Sequence, residues 1–357
     1  MSENDLDIAR PSIWFKMLKV VSPVFLEVFK AMATVLVTSL GSVAADITIK
    51  TLKRLNHRVV GTDINPREYV ADALEVGAFY RAPYTMDVEN YLAFIEDVCA
   101  REHVDFVFPM TDLDIDVFNA NRERLAKTGA TFCMSPKSAL DTIRNKKTLA
   151  EFINEHCPQI KTITTLSLTE CQGGTPFGYP VIVKPYDGRS SIGLYRIYNE
   201  YDWAAAMAAI EEPERYIVQP FVEGPIVMSE IVRSPESGKT VVVVREELLE
   251  TSNFCAITVR MYHDEDLEAR SRELAKALDI RGSVNFEWIL DPEGTYHFVE
   301  CNPRFSAGAE FTVMSGYELI DNHLRCFQGR DIEDYTYRHQ MIIARKYEEY
   351  ITKIFED

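Results

Sequence analysis

The stretch from Ser283 to Arg304 constrains this chain more than any other. Ser283-Val-Asn-Phe-Glu-Trp-Ile-Leu290 alternates with the period of two that a half-buried strand requires. Asp291-Pro-Glu-Gly294 is a turn sequence, and Thr295-Tyr-His-Phe-Val-Glu-Cys301 returns. A hairpin closed with Leu290 opposite Thr295 sets Glu287 opposite Phe298 and diagonal to Glu300, roughly 7 Å apart between backbones. Asn302 continues that face, whereas Val299 and Cys301 point away from it. Two carboxylates and an amide oxygen on one rigid face are hard ligands of the kind Mg²⁺ takes beside phosphates, and Arg304 follows where it can hold a phosphoryl oxygen. The plain alternative is a solvent-facing sheet surface. Like charges placed so close are destabilising there unless a cation offsets them.

Two other segments are weaker alone. Val181-Ile-Val-Lys-Pro185 reads as a strand carrying an inward Lys184, followed by the small-residue loop Tyr186-Asp-Gly-Arg-Ser-Ser-Ile-Gly193 and a returning strand. Backbone N–H groups of such a loop can cover phosphates with Lys184 as the compensating charge, yet many ordinary hairpins hold Gly and Ser. It is not a Walker A loop, having no GKS or GKT and no helix after it. Ile217-Val-Gln-Pro-Phe-Val-Glu-Gly224 is an apolar strand entering a turn. Its backbone could read an adenine ring, with Pro220 only accepting and Val222 donating, or it could be an edge strand.

Elsewhere the chain alternates strand and helix from Thr34: strands at 34–39, 58–63 and 105–109, helices at 44–55 and 88–101. This order predicts a parallel sheet covered on both faces. The loop after the first strand, Ser-Leu-Gly-Ser-Val-Ala-Ala, lacks the glycines of a dinucleotide fingerprint, so Asp63 twenty residues on is no sufficient sign of nicotinamide binding. One helix is expected over 138–155, strands over 179–185, 193–198, 216–221, 226–233 and 240–246, a helix over 264–278, and a last helix from about Gly316. Apolar spacing over Ile13–Met32 suggests one or two amphipathic helices broken near Pro23, packed on the body or on a second subunit. The tail from Asp331 is charged and irregular.

With 357 residues, 46% hydrophobic, the chain should hold two or three units around a sizeable core. The excess of 55 acidic over 38 basic residues, a net charge of −17, argues against nucleic-acid binding but leaves room for a few buried cations around an anionic ligand. Seven scattered cysteines with no CxxC pair are the usage of a reduced, cytoplasmic protein. The acidic start MSENDLDIAR is unlike a secretory signal, and charges interrupt the most apolar stretch, so no integral membrane contact is expected.

In this order the segments resemble the ATP-grasp superfamily, most closely its branch of carbamoyl-phosphate synthetase, biotin carboxylase and the carboxylate–amine ligases. The resemblance runs from about Thr34 to Arg330. Glu300-Cys-Asn-Pro-Arg304 matches the E-x-N-P-R element, and Asn285-Phe-Glu287 the acidic strand before it. The resemblance implies an α/β and α+β chain. An N-terminal extension (1–32) and a Rossmann-like, parallel-sheet pre-ATP-grasp domain (33–136) would precede a small lobe (137–218). A C-terminal lobe with the metal site (219–330) and a tail (331–357) would follow. It implies ATP with Mg²⁺, or Mn²⁺ in its stead, as cofactors. Glu287, Glu300 and Asn302 would bind metal, with Lys146, Lys184, Ser190 and Ser191 around the phosphates. Gln219, Pro220, Phe221 and Val222 would lie at the adenine, Glu223 or Glu230 at ribose or linker, and Lys184 and Arg304 in catalysis. Arg245 and Arg260 are candidates for substrate contacts. The implied reaction activates a small-molecule carboxylate as an acyl phosphate and couples it to an amine; a carboxylate kinase or a non-catalytic ATP-binding regulator are the other readings. Small-molecule carboxylate and amine partners, no nucleic acid, and a homodimer as one possible assembly go with it. The sequence departs from the family at Gln219, where Glu is usual, at Pro220, at Cys301, and in a loop with only two glycines.

Overall fold

The computed structural model describes residues 32–171, 173–189, 191–251 and 255–356. The helices expected over Ile13–Met32, apart from Met32, and Ser190 lie outside them. Short β-branched runs build the first unit: β1 (Thr34–Val37), β2 (Arg58–Asp63), β3 (Ala78–Arg81), β4 (Phe106–Phe108) and β5 (Thr131–Phe132) form a parallel sheet in the order β3-β2-β1-β4-β5. Val35, Leu36 and Val37 are fully buried, as a central parallel strand with covered faces demands. Asp63 at the end of β2 spends its carboxylate on this chain's own backbone, accepting from Gly41 N–H (2.8 Å) and Asn65 N–H (2.9 Å). The acid thus closes the turn after β1.

The chain next gives β6 (Lys161–Thr162) and a four-stranded antiparallel sheet of β7 (Leu166–Ser167), β8 (Val181–Pro185), β9 (Tyr195–Ile197) and β10 (Tyr216–Pro220), in the order β7-β10-β8-β9. A seven-stranded sheet follows from β11 (Ile226–Arg233), β12 (Thr240–Glu250), β13 (Ala256–Tyr262), β14 (Gly282–Leu290), β15 (Tyr296–Asn302) and β16 (Met341–Ala344). It is ordered β16-β13-β12-β11-β14-β15-β6. The expected α/β and α+β class with an N-terminal parallel-sheet unit is borne out. No helix among the described residues is long and apolar enough to cross a membrane.

The large sheet has two unlike faces because its strands alternate. Val227, Ile231, Val242, Val244, Phe286, Trp288 and Phe298 turn to a core beneath the helix Glu265–Ala277. The opposite face carries Met228, Glu230, Arg245, Asn285 and Glu287. Its remaining apolar positions, such as Val232 and Val243, join the core shared with the parallel-sheet unit. At that junction His323, in the helix Leu319–Phe327, packs against the rings of Phe108 (4.9 Å between centroids), Phe305 (4.7 Å) and Phe327 (5.1 Å). Its Nδ1 accepts the Ser283 N–H at 2.8 Å.

Four expectations need correction. The single helix over 138–155 is two, Lys137–Ile143 and Lys146–His156, because Asn145 leaves helical geometry and its side chain caps the N–H groups of Lys147 and Thr148 (3.0 and 3.1 Å). Strand β13 was not expected, although Ile257, Val259 and Met261 alternate with Thr258 and Arg260 as in a half-buried strand. The tail from Asp331 is irregular only in part, since β16 pairs with β13 as an edge strand.

The hairpin register also differs. Leu290 pairs with Tyr296 and Trp288 with Phe298, an odd-length connection that would put Glu287 across from Val299 and turn Glu300 to the far face. A bulge at Val299 absorbs one residue, so Glu287 faces Glu300 directly and Asn285 faces Asn302. The shared face survives, by a bulge rather than by the turn. Val299 consequently lines the same cavity as Glu300, while Cys301 is buried in the core, where it was expected.

Candidate active site

The three sheets enclose a cavity of about 670 Å³. Its floor is one row of the large sheet, in which directly paired residues of neighbouring strands share a face: Arg245 on β12, Met228 on β11, Glu287 on β14 and Glu300 on β15. The next row adds Asn285 and Asn302. Opposite, β8 contributes Lys184 and the helix Lys146–His156 contributes Lys146, fixed at its first position by the Asn145 cap. Lys146 Nζ lies 3.1 Å from Glu300 Oε2 and donates to the carbonyl of Gly188 (2.7 Å), tying the loop after β8 down over the acids. Lys146 N–H donates to the Tyr186 carbonyl at 3.0 Å. Ser191 lines the cavity with a positive φ of 54°.

The electrostatics of the facing acids are asymmetric. Burial, and then the charge of Glu300, pushes the Glu287 carboxyl up to about 8. Burial acts on Glu300 in the same sense, but Lys146 and Lys184 outweigh it and hold Glu300 below the ordinary range. Burial and the neighbouring Lys146 bring Lys184 down to about 8. Two carboxylates thus confront each other with the lysines engaged chiefly on Glu300, and at Glu287 Lys184 and Lys146 do not offset burial and the neighbouring charge. That donor set, completed by the amide oxygen of Asn302, fits a hard divalent cation, which would neutralise what the lysines leave over. Among the described residues no cluster of three His, Cys, Asp or Glu side chains forms a metal shell, so the remaining ligands at this place would be oxygens of a bound phosphate or water.

Arg304 also lines the cavity, bonded through Nη2 (3.0 Å) and Nε (3.3 Å) to Asp112 Oδ2 of the parallel-sheet unit, and through Nη2 to Asn302 Oδ1 (3.3 Å). Burial opposes ionisation of Asp112, yet Arg304 and Arg144 keep its carboxyl below the usual range. Asp112 and Arg144 were not singled out in the sequence. The only local sign was Thr111, which forms a capping box with Asp114 at the start of that helix.

The apolar end of the cavity is formed by Ile163, Ile182, Ile226, Met228 and Ile289 with Gln219, Pro220, Phe221 and Val222. Gln219 donates through Nε2 to Thr165 Oγ1 (2.8 Å), and the Phe221 N–H is committed to the Pro180 carbonyl (3.0 Å).

Three candidates lie elsewhere than expected. Glu230 is 1% exposed and bonded to Arg245 (2.8 Å), Ser306 (2.6 Å) and Asn285 (3.3 Å), so it cannot reach a ribose. Glu223 is exposed beyond the lining, just after Val222. Arg260 pairs with Glu246 and also stays outside the lining. Arg245, by contrast, lines the cavity, pinned at Nε by Glu247 (3.0 Å) and at Nη2 by Ser306 (3.2 Å). Gly308 leaves room for it: a Cβ there would come within 2.4 Å of the Arg245 Cζ. Because the guanidinium is held on three sides, Gly308→Ala should lower stability by about 1–3 kcal/mol in urea unfolding. An unchanged midpoint would show that Arg245 is free to swing away.

Comparison with known proteins gives this arrangement relatives. Residues 143–308 match the family described as ATP-grasp domain. Over 233 residues the chain is 22% identical to the carbamoyl phosphate synthase large chain of Clostridium acetobutylicum; the match takes in 60% of this chain and 21% of that protein, about a fifth of its length. The fold is similar to a biotin carboxylase from Campylobacter jejuni solved with β,γ-ATP (TM-score 0.71, 17% identity, 85% of this chain and 72% of that one). It is also similar to an L-amino acid ligase from Bacillus licheniformis (TM-score 0.66, 15% identity, 82% and 73%).

Proposed function

We propose that this chain, which carries an ATP-grasp domain, is an ATP-dependent ligase that joins a small-molecule carboxylate to an amine. The observation that carries the reading is the row Arg245, Met228, Glu287, Glu300, set beneath Lys146 and Lys184 in one cavity with an apolar end. Glu287, Glu300 and Asn302 would hold Mg²⁺ or Mn²⁺ on the phosphates of ATP, and the metal would supply charge neutralisation there. Lys146 and Lys184 would place positive charge on the transferring phosphoryl group, and Arg304, just after β15 and oriented by Asp112 of the parallel-sheet unit, would add to it. Gln219 to Val222 with the isoleucine-rich wall would take the adenine, with Val222 as the N–H donor, because Pro220 has none and Phe221 is committed.

The substrate carboxylate oxygen would bond to the γ-phosphorus as the γ-phosphorus–oxygen bond to ADP breaks, giving an acyl phosphate. The amine would then bond to the acyl carbon as phosphate leaves, and one proton is released. The loop residues Tyr186 to Arg189, tied down by Lys146 at Tyr186 and Gly188, would keep water from that acyl phosphate.

The test incubates the full chain with MgATP, pooled amino acids and small acids, and follows phosphate release and new masses together. A new amide mass matched by phosphate supports the ligase. Phosphate without any new amide mass would instead assign a carboxylate kinase or an idling ATPase. Nucleotide binding with no turnover under any addition would leave a regulator.

A further inference from the structure

One region of the cavity plays no part in binding ATP as described above. On β12, Glu247 follows Arg245 on the same face, and Glu250 returns to it after the irregular pairing around Leu249. Arg245 is the only cation bonded to Glu247 among the described residues, and it is shared with Glu230: one guanidinium meets two buried carboxylates. The Glu247 side chain is 3% exposed and lines the cavity; Oε1 accepts from Arg245, and Oε2 has no hydrogen-bond partner among the described residues. Glu250 stands beside it. Burial, then the Glu247 charge, raise its carboxyl above the ordinary range against the opposing charge of Arg196, which also lines the cavity. Glu230, Glu247 and Glu250 thus face two cations, Arg245 and Arg196.

A buried carboxylate oxygen without a donor, in a pocket with surplus negative charge, is costly unless a cation fills the place. A water molecule would satisfy the oxygen but not the charge. A metal would need a fuller set of ligands than these two acids, and no such cluster exists among the described residues. An ammonium group needs only two or three acceptors and one negative charge.

We infer that Glu247, with Glu250, is the subsite for a protonated amine of the substrate, so that the ligase acts on amino-bearing compounds rather than on neutral or purely anionic acids. The inference rests on the ligase reading and deepens it. Glu247 sits on β12, two strands from Glu287 on β14 and two residues along from its row, and so about 12 Å away between backbones, which leaves space for a small molecule between the amine subsite and the phosphates.

The experiment measures phosphate release from MgATP by the full chain with three additions. These are the twenty L-amino acids pooled, their N-acetyl derivatives pooled, and the N-acetyl derivatives together with pooled L-amino acid amides. Free amino acids should support turnover, and the acetylated pool alone should support at least about tenfold less, as loss of a charge-assisted contact implies. Recovery with the amides places the bound nitrogen on the attacking amine; no recovery places it on the activated acid. Both agree with the inference.

In Glu247→Gln, whose amide oxygen can still accept from Arg245, KM for the best amino acid should rise about tenfold or more while KM for ATP stays within about twofold. Should that variant not fold, Glu250→Gln carries the same comparison. An unchanged amino-acid KM in the variants overturns the inference and leaves the ligase standing, whereas equal turnover with the acetylated acids alone, which offer no α-amine to join, overturns the ligase reading and the inference with it. Phosphate release in none of the three mixtures overturns the ligase reading, and the inference with it.

Discussion

Glu300→Gln should cut ATP turnover on the order of 100-fold while the nucleotide still binds. Glutamine keeps the volume and one oxygen, so β15 and its bulge at Val299 remain. What is lost is the negative charge that faces Glu287 and meets Lys146 at 3.1 Å. The remaining carboxylate, Glu287, is the reluctant one, pushed up to about 8 by burial and by Glu300. Removing its neighbour's charge should ease its ionisation without restoring a bidentate metal seat. Excess Mg²⁺ should therefore recover part of the rate, and fluorescent nucleotide titration should give a dissociation constant within a few-fold of the parent. Unchanged turnover with every substrate that works for the parent chain would sink the assignment of Glu300 to the metal, and the catalytic reading with it.

The second large effect is on stability against acid. Burial drives His323 down to about 3, with its hydrogen bond to the Cys133 backbone opposing, and the neutral ring accepts the Ser283 N–H at 2.8 Å. The unfolded chain protonates this histidine near pH 6.5 and the folded chain does not, so the unfolded state binds more protons below that pH. Stability from this group is therefore complete above about pH 6.5 and is lost as the pH falls towards about 3. Between pH 7 and pH 5 the loss should be about 2 kcal/mol. Urea unfolding of the parent chain and of His323→Gln, which does not titrate, gives the difference in slope. Parallel slopes would mean that the ring gains a proton without leaving its place among Phe108, Phe305 and Phe327. The consequence reaches the cavity, because Phe305 lines it and Gly282 and Ser283 of β14 are held against His323.

Much of the architecture was legible because it is written at short range. Period-two alternation over 283–290 marked β14, the turn at 291–294 fixed the hairpin, and alternating strands and helices from Thr34 announced the parallel sheet. The shared face of Glu287, Glu300 and Asn302 was expected from the parity of an even connection, and the structure reaches it by an odd connection and a bulge. The register was not legible: whether an odd connection is corrected by a bulge depends on how Val299 and Phe298 pack, and packing is a property of the neighbours. The break at Asn145 is the same kind of local choice, made by a cap that competes with a continuing helix.

What only the tertiary structure decided are the charges that meet across long separations. Arg304 finds Asp112 across 192 residues, and Arg245 draws Glu230, Glu247 and Ser306 into one buried group. Glu230 reads in sequence like any acid able to reach a ligand, and it is removed from that role because folding buries it outside the cavity lining, with Arg245, Ser306 and Asn285 all bonded to one of its two oxygens. The chain by itself determined which residues are hard acids, cations and strand formers, since these follow from residue type and periodicity. It could not determine which acids end up satisfied and which keep an oxygen for a ligand. That balance is settled by desolvation and by the partners that folding supplies.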